Sequence, residues 1–496
     1  MSKSLTVKNK LPGLFKFFLL LFPFVIALFQ WHSLDNDFYF LYPTGEYILN
    51  NGFPHTDILS MHTGMNIVVQ QWLSSVIFYL VYSKLGKIGI FALIYLVYAG
   101  ICYFTYRLNI LITKNELVSL VLAAISNILI YKPFIVTRPQ TFTFLVLLIE
   151  IYILEKYVQT KKISYLIGIP VLSLLLINLH ASMWPMLFVF MLPFIAGAIP
   201  VKIKNVIELK AEGNILHLLG ALAIGAAMGF INPYGMSNVF YLLSSYGDNQ
   251  LADTILEMLP SDIGSTSGKI LFGVIILMGL IGFFYKKSSI TVRHLCLLLG
   301  TLLLALLHRK GVLYFYIYGI SAFSYVLKDL EIEIPSKIRS KITGRVQTLL
   351  FVMLVIFTVG LCGINLKKSI DFMPASMAHY DRLDEVSEIL NKSSEPVVLY
   401  TNFGDGQYME YKGFRPYIDG RAELFLQQNN GEFDYYGEYY QLRTAHMYYR
   451  DFTDKYQFNY LLVNGSSDRY LLMSLLYDED FELAYEKGEV YLFARK

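Results

Sequence analysis

Charge is what this sequence has little of. Of its 496 residues only 16% are Asp, Glu, Lys or Arg, while 55% are hydrophobic and the mean hydropathy is +0.48. A soluble globular chain carries about 25% charged residues, so the composition excludes a wholly water-solvated protein and makes lipid the main solvent. Cysteine is scarce too. Cys102, Cys296 and Cys362 lie far apart inside apolar stretches and read as small core residues; a disulfide framework or a thiolate metal site is not expected. The chain lacks internal repeats, low-complexity tracts, a phosphate-cradling loop and a dinucleotide fingerprint, and nothing in it points to nucleic acid. No small-residue cleavage site follows the apolar run 17–31, although Lys3, Lys8, Lys10 and Lys16 precede it. That run therefore reads as a retained first helix, not a cleaved signal peptide.

What is present is a series of apolar runs. A spanning helix needs about 20 mostly apolar residues, with about 17 as the short limit. Runs meeting or nearly meeting that limit lie near 13–31, 88–106, 117–133, 140–157, 163–179, 183–199, 214–231, 268–285, 291–307, 311–327 and 346–366. The run 70–85 is short and contains Gln70, Gln71, Ser74, Ser75 and Ser83. The distribution of basic residues decides how to treat it. If 70–85 lies at the interface, Arg107, Lys114, Lys156, Lys161, Lys162, Lys202, Lys204, Lys210, Lys286, Lys287, Arg293 and the basic loop 328–345 share one side. The opposite side keeps only Lys132, Arg138, Arg309 and Lys310 in its short loops. The expectation is thus a polytopic α-helical membrane protein of about 11 transmembrane helices, its N-terminus cytoplasmic. Residues 1–366 form the membrane domain, including an external loop 32–87 with interfacial helices. Residues 367–496 form an extracytoplasmic α/β domain, with strands at 396–400, 459–464 and 489–495 and helices at 379–391 and 468–477. The setting is a multi-pass protein of the plasma membrane.

Candidate chemistry collects at the expected outer face. Asp35-Asn36-Asp37 follows the first span, and two carboxylates at this spacing could supply a general base or ligate a divalent cation, Mg2+ or Mn2+. The competing reading is that acidic residues simply mark the exit of a helix into water. Polar groups also end several helices: Arg138 in TRPQ, Asn178 and His180 in NLH, Asn232 in INPYG, and Arg309 with Lys310 in HRKG. Basic groups beside an acidic pair suit an anionic headgroup substrate near a carboxylate base. Interfacial snorkelling accounts for Lys132 well but less well for Arg138, which Pro133 and Pro139 place in an irregular turn. His180 alone would read as a hydrogen-bonded structural residue. Glu257 could line the same cavity or be a solvated loop carboxylate. Downstream, Asp405, Asp419, Arg421 and Glu423 cluster among glycines and aromatics, which suits either a glycan-binding surface or turns and an internal ion pair.

Taken in order, these fragments resemble the GT-C superfamily of polytopic glycosyltransferases, near the protein O-mannosyltransferase-like group. They are the D-x-D pair, the G-x-x-I-x-x-x-G-x-P-x-x-D stretch from Gly45 to Asp57, QWL (71–73), RPQ (138–140), NLH (178–180), INPYG (231–235) and DGRAE (419–423). The resemblance implies a polyprenyl-phosphate sugar donor and inverting transfer to a cell-envelope glycan, lipid or protein acceptor. It casts Asp37 as base or metal-associated carboxylate with Asp35 as partner, and Arg138, His180 and Arg309 as ligands of the lipid phosphate. Two positions depart from the pattern: Phe38-Tyr39-Phe40 stands where relatives carry a His, and Gln71 stands where they carry Glu. Alternatives from the residues alone are a polymerase or ligase using a polyprenyl-diphosphate donor, a lipid or glycan transporter, and a non-catalytic sensor or scaffold. Transport would require ionisable groups through the membrane depth.

Overall fold

The computed structural model describes residues 13–29, 33–203, 207–241, 259–285, 289–330 and 345–496. Helices α1 (Gly13–Leu28), α2 (Asn36–Asn51), α3 (Trp72–Thr113), α4 (Glu116–Phe134), α5 (Gln140–Thr160), α6 (Gly168–Leu179) and α7 (Pro185–Gly197) come first. A hairpin of β1 (Val201–Ile203) and β2 (Ile207–Leu209) follows, then α8 (Ile215–Met228), α9 (Thr266–Phe284) and α10 (Val292–Leu307). From Val312 to Leu327 the backbone stays helical but changes pitch, with a π-turn at Phe315–Gly319 between short α and 3-10 pieces. The last long helix, α11 (Arg345–Leu390), carries the chain from an apolar stretch into the C-terminal part. The expected boundary at 366/367 therefore falls inside one continuous helix.

Each apolar run named above coincides with helix over most of its described residues. Within the described residues, four helical segments are long and apolar enough to cross a membrane by length and composition: Trp72–Thr113, Glu116–Phe134, Thr266–Phe284 and Phe351–Asp371. The other apolar helices are shorter, such as Val292–Leu307, or interrupted, so a count of about eleven does not follow from helix length. Gly86 explains the ambiguity at 70–85. Its φ of 59° and ψ of −156° break α3 into a segment 72–85 and a long apolar helix beyond, a conformation that glycine adopts without a Cβ penalty. The segment 72–85 packs on α2. Contact is close because Gly45 lacks a side chain: a Cβ there would lie 2.2 Å from the Ser75 carbonyl oxygen.

One expectation about charge changes. Arg293, assigned above to a basic loop, is buried, with its Nε 2.8 Å from Glu155 Oε1 and its Nη1 2.6 Å from Glu212 Oε1. Glu150, at the middle of α5, is fully buried, and among the described residues neither oxygen has a hydrogen-bond partner.

The C-terminal part holds a four-stranded sheet in the order β3-β4-β6-β5. Its strands are β3 (Leu399–Tyr400), β4 (Tyr460–Asn464), β5 (Phe481–Lys487) and β6 (Val490–Arg495). β3 pairs parallel to β4, and the remaining pairs are antiparallel. The sequence reading missed β5, whose residues are mostly exposed and show no buried alternation. Around the sheet lie α12 (Gly406–Tyr411) and α13 (Tyr435–Arg443). One core runs without interruption from the helical part into this region, taking in Leu383, Leu399, Met409 and Leu492. A second core sits within the C-terminal region and takes Met65 from the loop after α2.

Candidate active site

The Asp35-Asn36-Asp37 turn is fixed from three directions. Asp35 caps α2: its Oδ1 accepts from the Asp37 N–H at 3.1 Å, satisfying a donor that the helix start leaves free. Its own N–H donates to Thr137 Oγ1 at 2.7 Å. Between them, the Asn36 side chain donates to the Gly404 carbonyl at 2.7 Å, so the C-terminal region seats on the acidic turn. Arg138 arrives from the proline-flanked turn before α5. Its Nε lies 2.6 Å from Asp35 Oδ1 and 3.3 Å from Asp37 Oδ2. Asp37 also sits in the first turn of α2, where the helix dipole favours a negative charge.

This arrangement bears on the divalent cation considered from sequence. Mg2+ and Mn2+ take octahedral shells of oxygen ligands. Among the described residues no group of three or more His, Cys, Asp or Glu side chains could hold a metal, and the Arg138 guanidinium already lies against both carboxylates.

A cavity of about 970 Å3 opens beside the turn. Asp37, Arg138, His180 and Lys310 all line it, although they come from four separate stretches of chain. Asp35 stands behind Asp37 and is not among the lining residues. Arg309 also stands apart: its Nε reaches the Pro260 carbonyl at 3.4 Å, and Lys310 takes the place in the wall that the sequence reading gave to Arg309. Glu257 lies outside the described residues. His180 is held at the end of α6 with Nδ1 2.9 Å from Thr143 Oγ1. The following backbone is tied to Gln70, whose carbonyl accepts from the Ala181 N–H at 2.8 Å and whose Oε1 accepts from the Ser182 N–H at 3.0 Å. Gln71, the departure noted above, lines the cavity as well.

The far wall belongs to the C-terminal region and includes Phe403, Arg421 and Glu423. Arg421 is the centre of a buried cluster that the sequence reading only half identified. Its Nη1 lies 2.6 Å from Asp57 Oδ1, and its Nη2 lies 2.7 Å from Asp419 Oδ2 and 3.1 Å from Glu410 Oε1. Burial alone would raise the Asp57 carboxyl, but the adjacent guanidinium overrides it and holds the group below the ordinary carboxylate range. Burial and the Asp419 charge push Glu410 well above that range. The missed members are Asp57 and Glu410. Asp57 had a signal, as the last residue of the Gly45–Asp57 stretch, whereas Glu410 had none.

Other fragments meet in the same way. Trp72 Nε1 of QWL donates to Asn178 Oδ1 of NLH at 2.8 Å, and Asn178 Nδ2 donates to the Ile231 carbonyl of INPYG at 3.0 Å. Tyr234 of INPYG reaches back to the Pro54 carbonyl at 3.0 Å. Segments distant in sequence thus form one shell around the cavity.

No family model matches the sequence, and neither does any curated protein. The architecture does have a match among solved structures. The oligosaccharyltransferase of Archaeoglobus fulgidus, crystallised with a tethered acceptor peptide containing an NVT sequon, superposes with a TM-score of 0.56. The match covers 98% of this chain and 74% of the other, at 11% identity. The chain has the oligosaccharyltransferase fold. At that identity the likeness is one of fold, and it bears out the GT-C architecture expected from the fragments. It does not single out the O-mannosyltransferase-like group. Among the described residues, four helices of this fold are long and apolar enough to cross a membrane.

Proposed function

We propose that the protein is a membrane glycosyltransferase that moves a sugar from a polyprenyl-phosphate-linked donor to a cell-envelope glycan, lipid or protein acceptor. The observation that carries this reading is the convergence of Asp37, Arg138, His180 and Lys310 on one cavity, roofed by the C-terminal region. A carboxylate beside one guanidinium, with an ammonium in the same cavity wall, matches what the reaction needs. Asp37 accepts the proton of the acceptor hydroxyl as it attacks the anomeric carbon, and the bond from that carbon to the phosphate oxygen breaks with inversion. Arg138 and Lys310 stabilise the charge growing on the departing polyprenyl phosphate. Asp35 is a positioning residue that holds the α2 cap and shares Arg138. The oligosaccharyltransferase fold supports glycosyl transfer in general. The basic-loop bias supports an N-terminus inside and a site outside the plasma membrane.

The test is transfer from a radiolabelled polyprenyl-phosphate sugar in proteoliposomes. Loss of a positioned base costs about 10²–10⁴-fold, so Asp37→Asn is expected to lower turnover by at least about 100-fold. Full activity in that variant would remove Asp37 from the role. A diphosphate-linked donor run in parallel separates transferase from polymerase or ligase chemistry. Glu150, buried in α5 without a hydrogen-bond partner among the described residues, favours transport, since intramembrane ionisable residues mark cargo or proton paths. Movement of labelled lipid-linked sugar across the bilayer without any transfer would establish that rival.

A further inference from the structure

A second cleft, of about 400 Å3, opens on the other side of the acidic turn, within the size range of small-ligand sites. Asn36 and Phe403 belong to the walls of both cavities. The Asn36–Gly404 hydrogen bond therefore works as a partition, and whatever fills the second cleft lies next to the proposed site of transfer.

The wall has two kinds of group. Tyr380, Phe403 and Tyr439 supply aromatic rings, and His379, Asp405 and Arg443 supply charge. Two of the charges, His379 and Asp405, form an ion pair. His379 Nε2 lies 2.7 Å from Asp405 Oδ1, and Asn402 Nδ2 donates to Asp405 Oδ2 at 2.6 Å. Arg443 donates through Nε to the Ser467 carbonyl at 3.3 Å. Behind it, Asp468 takes the Ser467 hydroxyl at 3.1 Å on one oxygen, and its other oxygen is buried with no hydrogen-bond partner among the described residues.

These features select a chemical class. The Asp405 carboxylate in the wall disfavours an anion beside it, unlike the Arg138 and Lys310 end of the main cavity. An apolar ligand would strip ion pairs and hydroxyls of water without replacing their hydrogen bonds. A neutral polyhydroxylated ring satisfies both sets of groups, stacking on aromatic faces while its hydroxyls exchange hydrogen bonds with His, Asp, Arg and Ser side chains. We propose that this cleft is a saccharide subsite holding a neutral sugar unit of the acceptor, away from the unit that reacts. The inference rests on the glycosyl-transfer reading and narrows the acceptor class to a glycan longer than one unit.

Saturation-transfer NMR on the full chain in nanodiscs tests it, with N,N′-diacetylchitobiose, α-1,6-mannobiose and maltotriose as probes and inorganic phosphate as the anionic control. At least one saccharide is expected to bind, and Arg443→Ala and His379→Gln are each expected to weaken its Kd about tenfold or more. Arg443 is exposed, so its replacement leaves the core intact, and a thermal melt checks both variants. Absence of saccharide binding, or binding indifferent to both substitutions, overturns the proposal. So does phosphate binding that depends on Arg443, which would make the cleft an anion site. Asp37→Asn keeps the two readings separable. Retained transfer in that variant removes Asp37 as base without touching the cleft. Lost transfer with no saccharide bound removes the subsite alone.

Discussion

Neighbouring cations show how little sequence proximity says about role. Lys310 lines the cavity, whereas the adjacent Arg309 turns to the Pro260 carbonyl. Lys310→Ala is therefore expected to raise the donor KM about tenfold, the effect of losing roughly 1.4 kcal/mol of phosphate binding, while Arg309→Ala stays within about twofold. Equal effects from the two, measured in the proteoliposome assay, would contradict the geometry. His62 offers a pH test. It is stacked on Tyr435 with ring centroids 3.7 Å apart, and Nε2 lies 2.7 Å from the Tyr417 carbonyl, to which it donates. Burial pushes its pKa down to about 4, against the pull of Asp57, Glu438 and Asp419. A depressed histidine contributes stability that is complete above its unfolded value near 6.5 and is lost as pH falls through the folded value. Going from pH 7 to 4.5 should cost about 2–3 kcal/mol through this residue. Thermal melts of purified protein should thus show a smaller acid-induced drop in His62→Gln than in the wild type.

Among the elements, the pairing of α2 with the start of α3 is the most exacting. α2 carries Asp37 and Thr44 into the cavity wall, and the start of α3 carries Gln71 and Ser75 there. Both depend on the close approach at Gly45. Gly45→Ala puts a methyl into the Ser75 carbonyl, a backbone contact that no side-chain rotation relieves. Overpacking of this kind costs about 1–3 kcal/mol, and the expected result is a lower Tm together with weakened transfer. An unchanged Tm would mean that the helices separate freely. Gly45 was visible in the sequence as the opening of a motif. Its reason was not, because the partner lies 30 positions away on another helix.

On the scale of the whole molecule, the Arg421 cluster ties the loop after α2 to the C-terminal region. Asp57 comes from the loop after α2, and Glu410 and Asp419 come from the C-terminal region. Two backbone bonds run beside it, from the Met61 N–H to the Pro416 carbonyl at 3.0 Å and from the Asn66 N–H to the Asn430 carbonyl at 2.8 Å. Replacing Arg421 leaves buried carboxylates without their cation, which costs about 3–5 kcal/mol. Arg421→Met is expected to speed amide exchange across residues 52–69 as well as in the C-terminal core. Faster exchange in the C-terminal core alone would mean that the cluster does not tie the loop to the C-terminal region.

Composition and periodicity by themselves determined where the apolar helices run and that a mixed α/β region follows them. Those properties depend on neighbours within a few residues. Asp35, Asp37, Arg138, His180 and Lys310 were also visible, because polar groups at the ends of apolar helices stand out against their surroundings. Three things were decided only by tertiary structure: the partner of Asp57, the choice of Lys310 over Arg309 for the cavity wall, and the burial of Arg293. Each depends on which segments meet across tens to hundreds of residues. A charged residue carries no local mark of whether its partner will be water or another buried charge.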